Sequence, residues 1–283
     1  MIPGLKVILM GPPGSGKTHS IRTLIEADLE VFCVLTEPNA INTLTNLRGA
    51  SDKYKKALDD NTIHWRFIPP ALATWDSLAK SAKKLSMFDL GTLQKETAVD
   101  KREYTQILEV YNTLSNFVDE RTGKESGTIE KLDPAKTAVV IDSLSGLNTM
   151  FLSIVCGSKA AKTQPEWGAA IDAELRFINQ ICFGVPTHVV VMAHIAREVD
   201  EVLGGMKIMV NGIGRKAPQE IPKNFTDCIL AKNAGGNFTW STVDMQAETK
   251  STTLVAGEKM EPSFVPLIDE WRTRFNINQG DTP

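Results

Sequence analysis

The sequence predicts an α/β fold, a mostly parallel sheet flanked by helices with a C-terminal β-rich extension. Three observations carry that prediction. Short, nearly continuous runs of Val, Ile and Leu recur between helix-length amphipathic segments, the pattern of strands covered on both faces. The first run ends in a glycine-rich turn that opens a helix. From about Glu201 the alternation gives way to short strand-like runs separated by glycine turns.

Taken in order, LKVILM (5–10) is the first buried strand, and a helix is expected from about Lys17 to Ala27. VFCVL (31–35) is the second strand, and IHWRFI (63–68) a third, closed by Pro69-Pro70. A helix is expected over Trp75 to Leu85. TAVVID (137–142) follows the turn signal Asp133-Pro134, and GVPTHVVVMAH (184–194) holds a strand at 188–193. Residues 86–136 interrupt the alternation and read as an insertion. It carries a helix from Lys101 to Asp119, with Tyr104, Ile107, Leu108, Tyr111 and Leu114 on one face, and a mobile loop over 121–134. EVLGGMKIMV (201–210) reads as a hairpin around Gly204-Gly205, followed by strands in FTDCIL (225–230) and NFTWSTVD (237–244). Residues 1–283 form a single domain in this reading.

Composition narrows the class. The chain is 42% hydrophobic and 23% charged with a formal net charge of −3, which speaks against disorder, a fibre or a uniformly basic nucleic-acid coat. Cys33, Cys156, Cys182 and Cys228 are far apart and form no C-x-x-C pair, so buried thiols in a reducing cytoplasm are expected. No apolar run reaches membrane-spanning length, and no membrane partner is expected.

GPPGSGKT (11–18) matches G-x-x-x-x-G-K-[ST] and sits after a strand and before a helix. There the glycines let successive N–H groups turn inward onto phosphates, so Gly11, Pro12, Pro13, Gly14, Ser15, Gly16, Lys17, Thr18 and His19 are the expected ATP-binding stretch. Lys17 reaches the β- and γ-phosphates in such a site, and the Thr18 hydroxyl ligates Mg²⁺. Asp142 ends the apolar strand VVID, where a Mg²⁺-holding carboxylate belongs; Asp142-Ser143 could equally cap the next helix.

Hydrolysis needs a further carboxylate that is not a metal ligand, to orient and deprotonate water. Open α/β sheets bind ligands at the C-terminal ends of their strands. Glu37 stands there, directly after the second strand, whereas the residue after Asp142 is Ser143. The competing reading of Glu37 is a first-turn carboxylate favoured by the helix dipole, with Pro38 at the first helical position. His194 occupies the equivalent place on the strand 189–194, either as a γ-phosphate sensor or as a half-buried histidine bonded to backbone.

The order of these motifs resembles the RecA-like ATPase core and, more closely, phage-encoded RecA-core ATP-binding proteins, a group that includes single-strand-annealing recombination proteins. The matching stretches are GPPGSGKT, VVIDSLSGL (139–147), QPEWGAAID (164–172), VVVMAHIAREVDE (189–201), GRKAPQEIPKNFTD (214–227) and FTWST (238–242) with Lys250. The resemblance implies a RecA-like P-loop NTPase core in which Glu37 activates water and His194 links the state of ATP to a DNA-binding loop. It also implies a Lys-x-Arg pair reaching a neighbouring subunit's γ-phosphate, hence a homo-oligomer, ring or filament. Lys250 is present but Thr252 replaces the arginine; the plain alternative for Lys250 is a solvated surface lysine.

After His194 the stretch 195–224 carries Arg197, Lys207, Arg215 and Lys216 among four glycines, the expected single-stranded DNA contacts of such a core. It contains no aromatic residue, and Glu198, Asp200, Glu201 and Glu220 dilute its charge, so a solvated mixed-charge hairpin is the other reading. The expected activity is a Mg²⁺-dependent ATPase acting on single-stranded DNA, alongside other phage recombination or replication proteins in the host cytoplasm. The alternatives are a P-loop kinase of a small molecule and an ATP-gated assembly factor that contacts only protein.

Overall fold

The structure is a computed structural model that describes residues 2–96, 101–199 and 204–277. Its strands in chain order are β1 (Lys6–Met10), β2 (Glu30–Leu35), β3 (Ile63–Phe67), β4 (Phe117–Val118), β5 (Glu125–Gly127), β6 (Thr137–Asp142), β7 (His188–Ala193), β8 (Ile195–Val199), β9 (Met206–Val210), β10 (Asp227–Ala234), β11 (Asn237–Ser241) and β12 (Lys250–Ser251). An eight-stranded sheet runs β11-β10-β1-β7-β6-β2-β3, with β12 also on β10. From β10 to β3 every pairing is parallel; only β11 and β12 run antiparallel. The α/β class with a β-rich extension therefore stands as expected.

Period-2 alternation decides which face each side chain meets. Ile8, Met10, Phe32, Val34, Val139, Ile141, Val189 and Val191 point into one core, with the helices Leu144–Cys156 and Gln164–Asn179. Val7, Leu9, Val31, Cys33, Val140 and Val190 point into the other, with Leu24, Tyr54, Leu267 and Trp271 from the opposite helical layer. All four cysteines are free and buried.

Several boundaries differ from expectation. The first helix divides into Lys17–Ser20 and Arg22–Glu26. The insertion helix is shorter, Gln106–Ser115, because Lys101 to Tyr104 closes a turn (Tyr104 N–H to the Lys101 carbonyl, 3.0 Å) and Asn116 is extended. The stretch 121–134 is an anchored hairpin and one 3₁₀ turn rather than a mobile loop. Its anchor is Asp119, which accepts the N–H groups of Arg121 (2.7 Å) and Thr122 (3.0 Å) while meeting buried His64 at 2.9 Å. Arg121 also lies over the Trp65 ring, 4.1 Å from its centroid. The hairpin expected over 201–210 is wider: β9 pairs with β8, which begins immediately after His194, and residues 201–203 of the expected hairpin lie outside the described residues.

Candidate active site

The parallel order β1-β7-β6-β2 brings four strand ends to one edge of the sheet. The loop after β1 carries the phosphate motif. Gly14 and Gly16 have φ of 72° and 84°, which admit glycine far more readily than other residues. The loop is tied down by Gly11 N–H to the Ala193 carbonyl (3.1 Å) and by the Ser15 hydroxyl to the Pro12 carbonyl (2.8 Å). The buried Lys17 ammonium folds back over the loop, donating to the Gly11 and Pro12 carbonyls at 2.9 and 3.0 Å. Burial lowers the Lys17 pKa, and the nearby Asp142 and Glu37 carboxylates oppose that shift. His19, two residues further on, is exposed.

Asp142 ends β6 almost fully buried, and burial pushes its carboxyl up to about 6 against the hydrogen bond it accepts from Thr18. That bond, Thr18 Oγ1 to Asp142 Oδ2 at 2.6 Å, joins residues 124 positions apart. A hydroxyl and a carboxylate are hard oxygen donors, and a buried carboxylate beside the phosphate loop gains most from a divalent cation, so this pair fits Mg²⁺.

Glu37 lies just past β2, the neighbour of β6. Its Oε1 accepts from the Ser143 hydroxyl and from His194 Nε2, the latter at 3.0 Å. A carboxylate only accepts, so His194 carries its proton on Nε2. The His194 hydrogen bond, then that of Ser143, holds the Glu37 carboxyl below its ordinary pKa despite partial burial. Both donors use Oε1, so Oε2 is the oxygen turned to other chemistry.

The capping readings give way here. The helix after β2 is Asn39–Thr45, with Pro38 at its N-cap, and no acid lies in its first turn. Ser143 occupies the N-cap of the next helix but makes no capping bond; its hydroxyl donates to Glu37. Thr36 takes the joining role instead. Its hydroxyl donates to the Ser143 carbonyl (3.0 Å) and accepts the Ser143 N–H (2.8 Å), locking the ends of β2 and β6 together. Gly146 makes this approach possible: a Cβ there would lie 2.2 Å from Thr36 Oγ1. Sequence reasoning missed Thr36, Ser143 and Gly146 as parts of the site. The signal was the S-x-x-G that follows Asp142, readable only once β2 and β6 are known to be neighbours.

The remaining expected residues lie elsewhere. Lys250 is exposed on the edge strand β12, opposite Cys228, which pairs with Ile8 in the middle of β1 rather than with its phosphate end. Thr252 contributes its N–H to Asp227 (3.2 Å) and its carbonyl to the Arg274 guanidinium (2.9 Å). Arg197 and Lys207 are on the β8–β9 ribbon, with Lys207 ion-paired to Glu248, and Arg215 and Lys216 are exposed beyond it. The ribbon is rooted at the site: Ile195 follows His194, and the Asn211 N–H returns to the His194 carbonyl at 2.8 Å.

A phosphate loop after the first strand of a parallel sheet, its threonine bonded to a carboxylate on a later strand, belongs to the P-loop nucleotide-binding proteins. The sequence model of the AAA domain matches residues 3–251, a span that holds all twelve strands of the described residues, and the chain belongs to that family of P-loop ATPases. No curated protein matches it. Among the described residues no helix is long and apolar enough to cross a membrane.

Proposed function

We propose that this protein is a Mg²⁺-dependent ATPase of the RecA-like type that assembles with its own copies and acts on single-stranded DNA in phage recombination or replication. The observation that carries the hydrolytic part is the convergence of Ser143 and His194 on a single oxygen of Glu37, beside the Thr18–Asp142 pair. Glu37 Oε2 takes the proton of the attacking water as general base, and Lys17 binds the phosphates. Thr18 and Asp142 would hold Mg²⁺, which supplies neutralisation of charge on the phosphate oxygens. His194 orients Glu37 and so couples the general base to the ribbon that begins at the next residue.

The DNA part rests on that ribbon, with Arg197, Arg215 and Lys216 exposed along or beyond it. Fluorescence anisotropy with a labelled oligonucleotide, with and without ATP, tests it. ATP-dependent binding that weakens steeply with salt is expected, and absence of binding at low ionic strength would remove DNA from the proposal. For self-assembly, Lys250 on an exposed edge, with Arg274 bonded to Thr252 nearby, is the pair suited to reach a neighbouring copy's phosphates.

One observation favours the reading of an ATP-gated assembly factor. The helix Trp75–Met87 buries none of its residues, and Leu72, Trp75, Leu78, Leu85 and Phe88 are all exposed, an apolar surface of the kind partners cover. ATP-dependent oligomers that ignore DNA in the same anisotropy measurement would select that reading.

A further inference from the structure

The hairpin β10–β11 lies over the outer side of the phosphate loop. Its turn is Gly235-Gly236, and the Asn233 side-chain amide donates to the Gly14 carbonyl at 3.0 Å. From β11 the Phe238 ring approaches Gly16 so closely that a Cβ there would meet its Cδ1 at 3.1 Å. Gly16 is thus required twice, by its positive φ and by this ring. Yet Phe238 remains 42% exposed, while Trp240, two residues on, is fully buried against Phe264. The fold therefore packs one aromatic of this strand and leaves the other half bare beside the phosphate loop.

Sheet order gives the ring a direction. Glu37, Asp142 and His194 follow β2, β6 and β7, all on one side of β1, whereas β10 and β11 lie on the other. A nucleotide whose terminal phosphate faces Glu37 carries its nucleoside end away from those strands, toward the hairpin. His19, in the short helix that Gly16 precedes, is also exposed.

We propose that Phe238 is the nucleobase platform of the site, stacking on the purine of the bound nucleoside triphosphate, with Asn233 fixing the hairpin to the loop. This rests on the phosphate-site reading above and deepens it. A π-face stacks on any base, and the larger purine surface stacks better, so the ring favours ATP and GTP over CTP and UTP.

Isothermal titration of wild type, Phe238→Ala and Phe238→Tyr with ATP and with inorganic tripolyphosphate, each with Mg²⁺, tests the assignment. Wild type is expected to bind ATP more tightly than tripolyphosphate. Phe238→Ala should weaken ATP by about tenfold and leave tripolyphosphate unchanged, closing the gap, and Phe238→Tyr should restore it. Equal losses for both ligands in Phe238→Ala would make the ring a mere support for the loop and overturn the proposal. Unchanged ATP binding would overturn it as well. Failure of wild type to bind either ligand would instead bring down the phosphate site, and this subsite with it.

Discussion

Two donors meet on Oε1 of Glu37, and that arrangement makes the residue's role measurable. Glu37→Gln keeps the size of the side chain but removes the base. It should retain ATP binding and lose hydrolysis by about 10²–10⁴, or about 3–5 kcal/mol in the barrier, read by phosphate release beside nucleotide titration. Ser143→Ala removes one donor and leaves the His194 bond at 3.0 Å. Turnover should fall by about tenfold, with ATP affinity held, if the hydroxyl positions the base. Lys17→Ala should instead weaken nucleotide binding itself, because its ammonium already lies folded over the loop. At this scale the sequence was informative where a motif is local. Gly11 to Thr18 and Asp142 could be found by pattern. Glu37 could be suspected from its strand end, but its partners stand 106 and 157 residues away and no spacing rule reaches them.

Among elements, the end of β2 and the helix Leu144–Cys156 are closely joined. Gly146→Ala would drive a methyl into Thr36, with the Thr36 hydroxyl and Cβ both within 2.5 Å of the new atom. A loss of about 1–3 kcal/mol is expected in urea unfolding, together with reduced phosphate release, since Thr36 and Ser143 move with the helix. The segment beyond the β8–β9 ribbon makes a different prediction. If Arg215 touches phosphate, Arg215→Ala should weaken single-stranded DNA about equally across sequences and lower the salt slope by about 0.7. Strands read from apolar runs matched closely, since burial on both faces leaves an unbroken hydrophobic signature. The insertion did not. Its order comes from Asp119, Arg121 and Ile129 packing onto β3 and the adjoining core, contacts between segments tens of residues apart that periodicity does not record.

For the molecule as a whole, two buried groups give its stability opposite slopes with pH. His188 accepts the Leu5 N–H at Nδ1 (3.0 Å), and burial holds its pKa down to about 3. Its unfolded counterpart protonates near 6.5, so stability present above that pH is lost progressively as pH falls toward 3. Glu174 accepts the Ile213 N–H (2.9 Å), and burial pushes its carboxyl up to about 7 from an ordinary 4.5. Its contribution is present below 4.5 and is lost as pH rises through 7. Urea midpoints between pH 5 and 8 should therefore fall less toward acid in His188→Asn than in wild type. In Glu174→Gln they should fall less toward neutral pH. Neither group was flagged by sequence, because a buried histidine at a strand start and a helical glutamate look alike whether solvated or enclosed.

The pairing of β1 also sets the order in which the chain becomes competent. β1 contains residues 6–10, but its two sheet neighbours begin at His188 and Asp227. During synthesis the phosphate loop therefore emerges on a strand that has nothing to pair with in this sheet until His188 and the residues after it are made. Contacts of such long range close slowly and leave apolar strands bare meanwhile. A fragment ending at residue 200 would hold Lys17, Glu37, Asp142 and His194, yet would leave one edge of β1 open and the phosphate loop without the hairpin above it. Such a fragment should neither bind ATP nor stay in solution, although every residue assigned to hydrolysis is present in it.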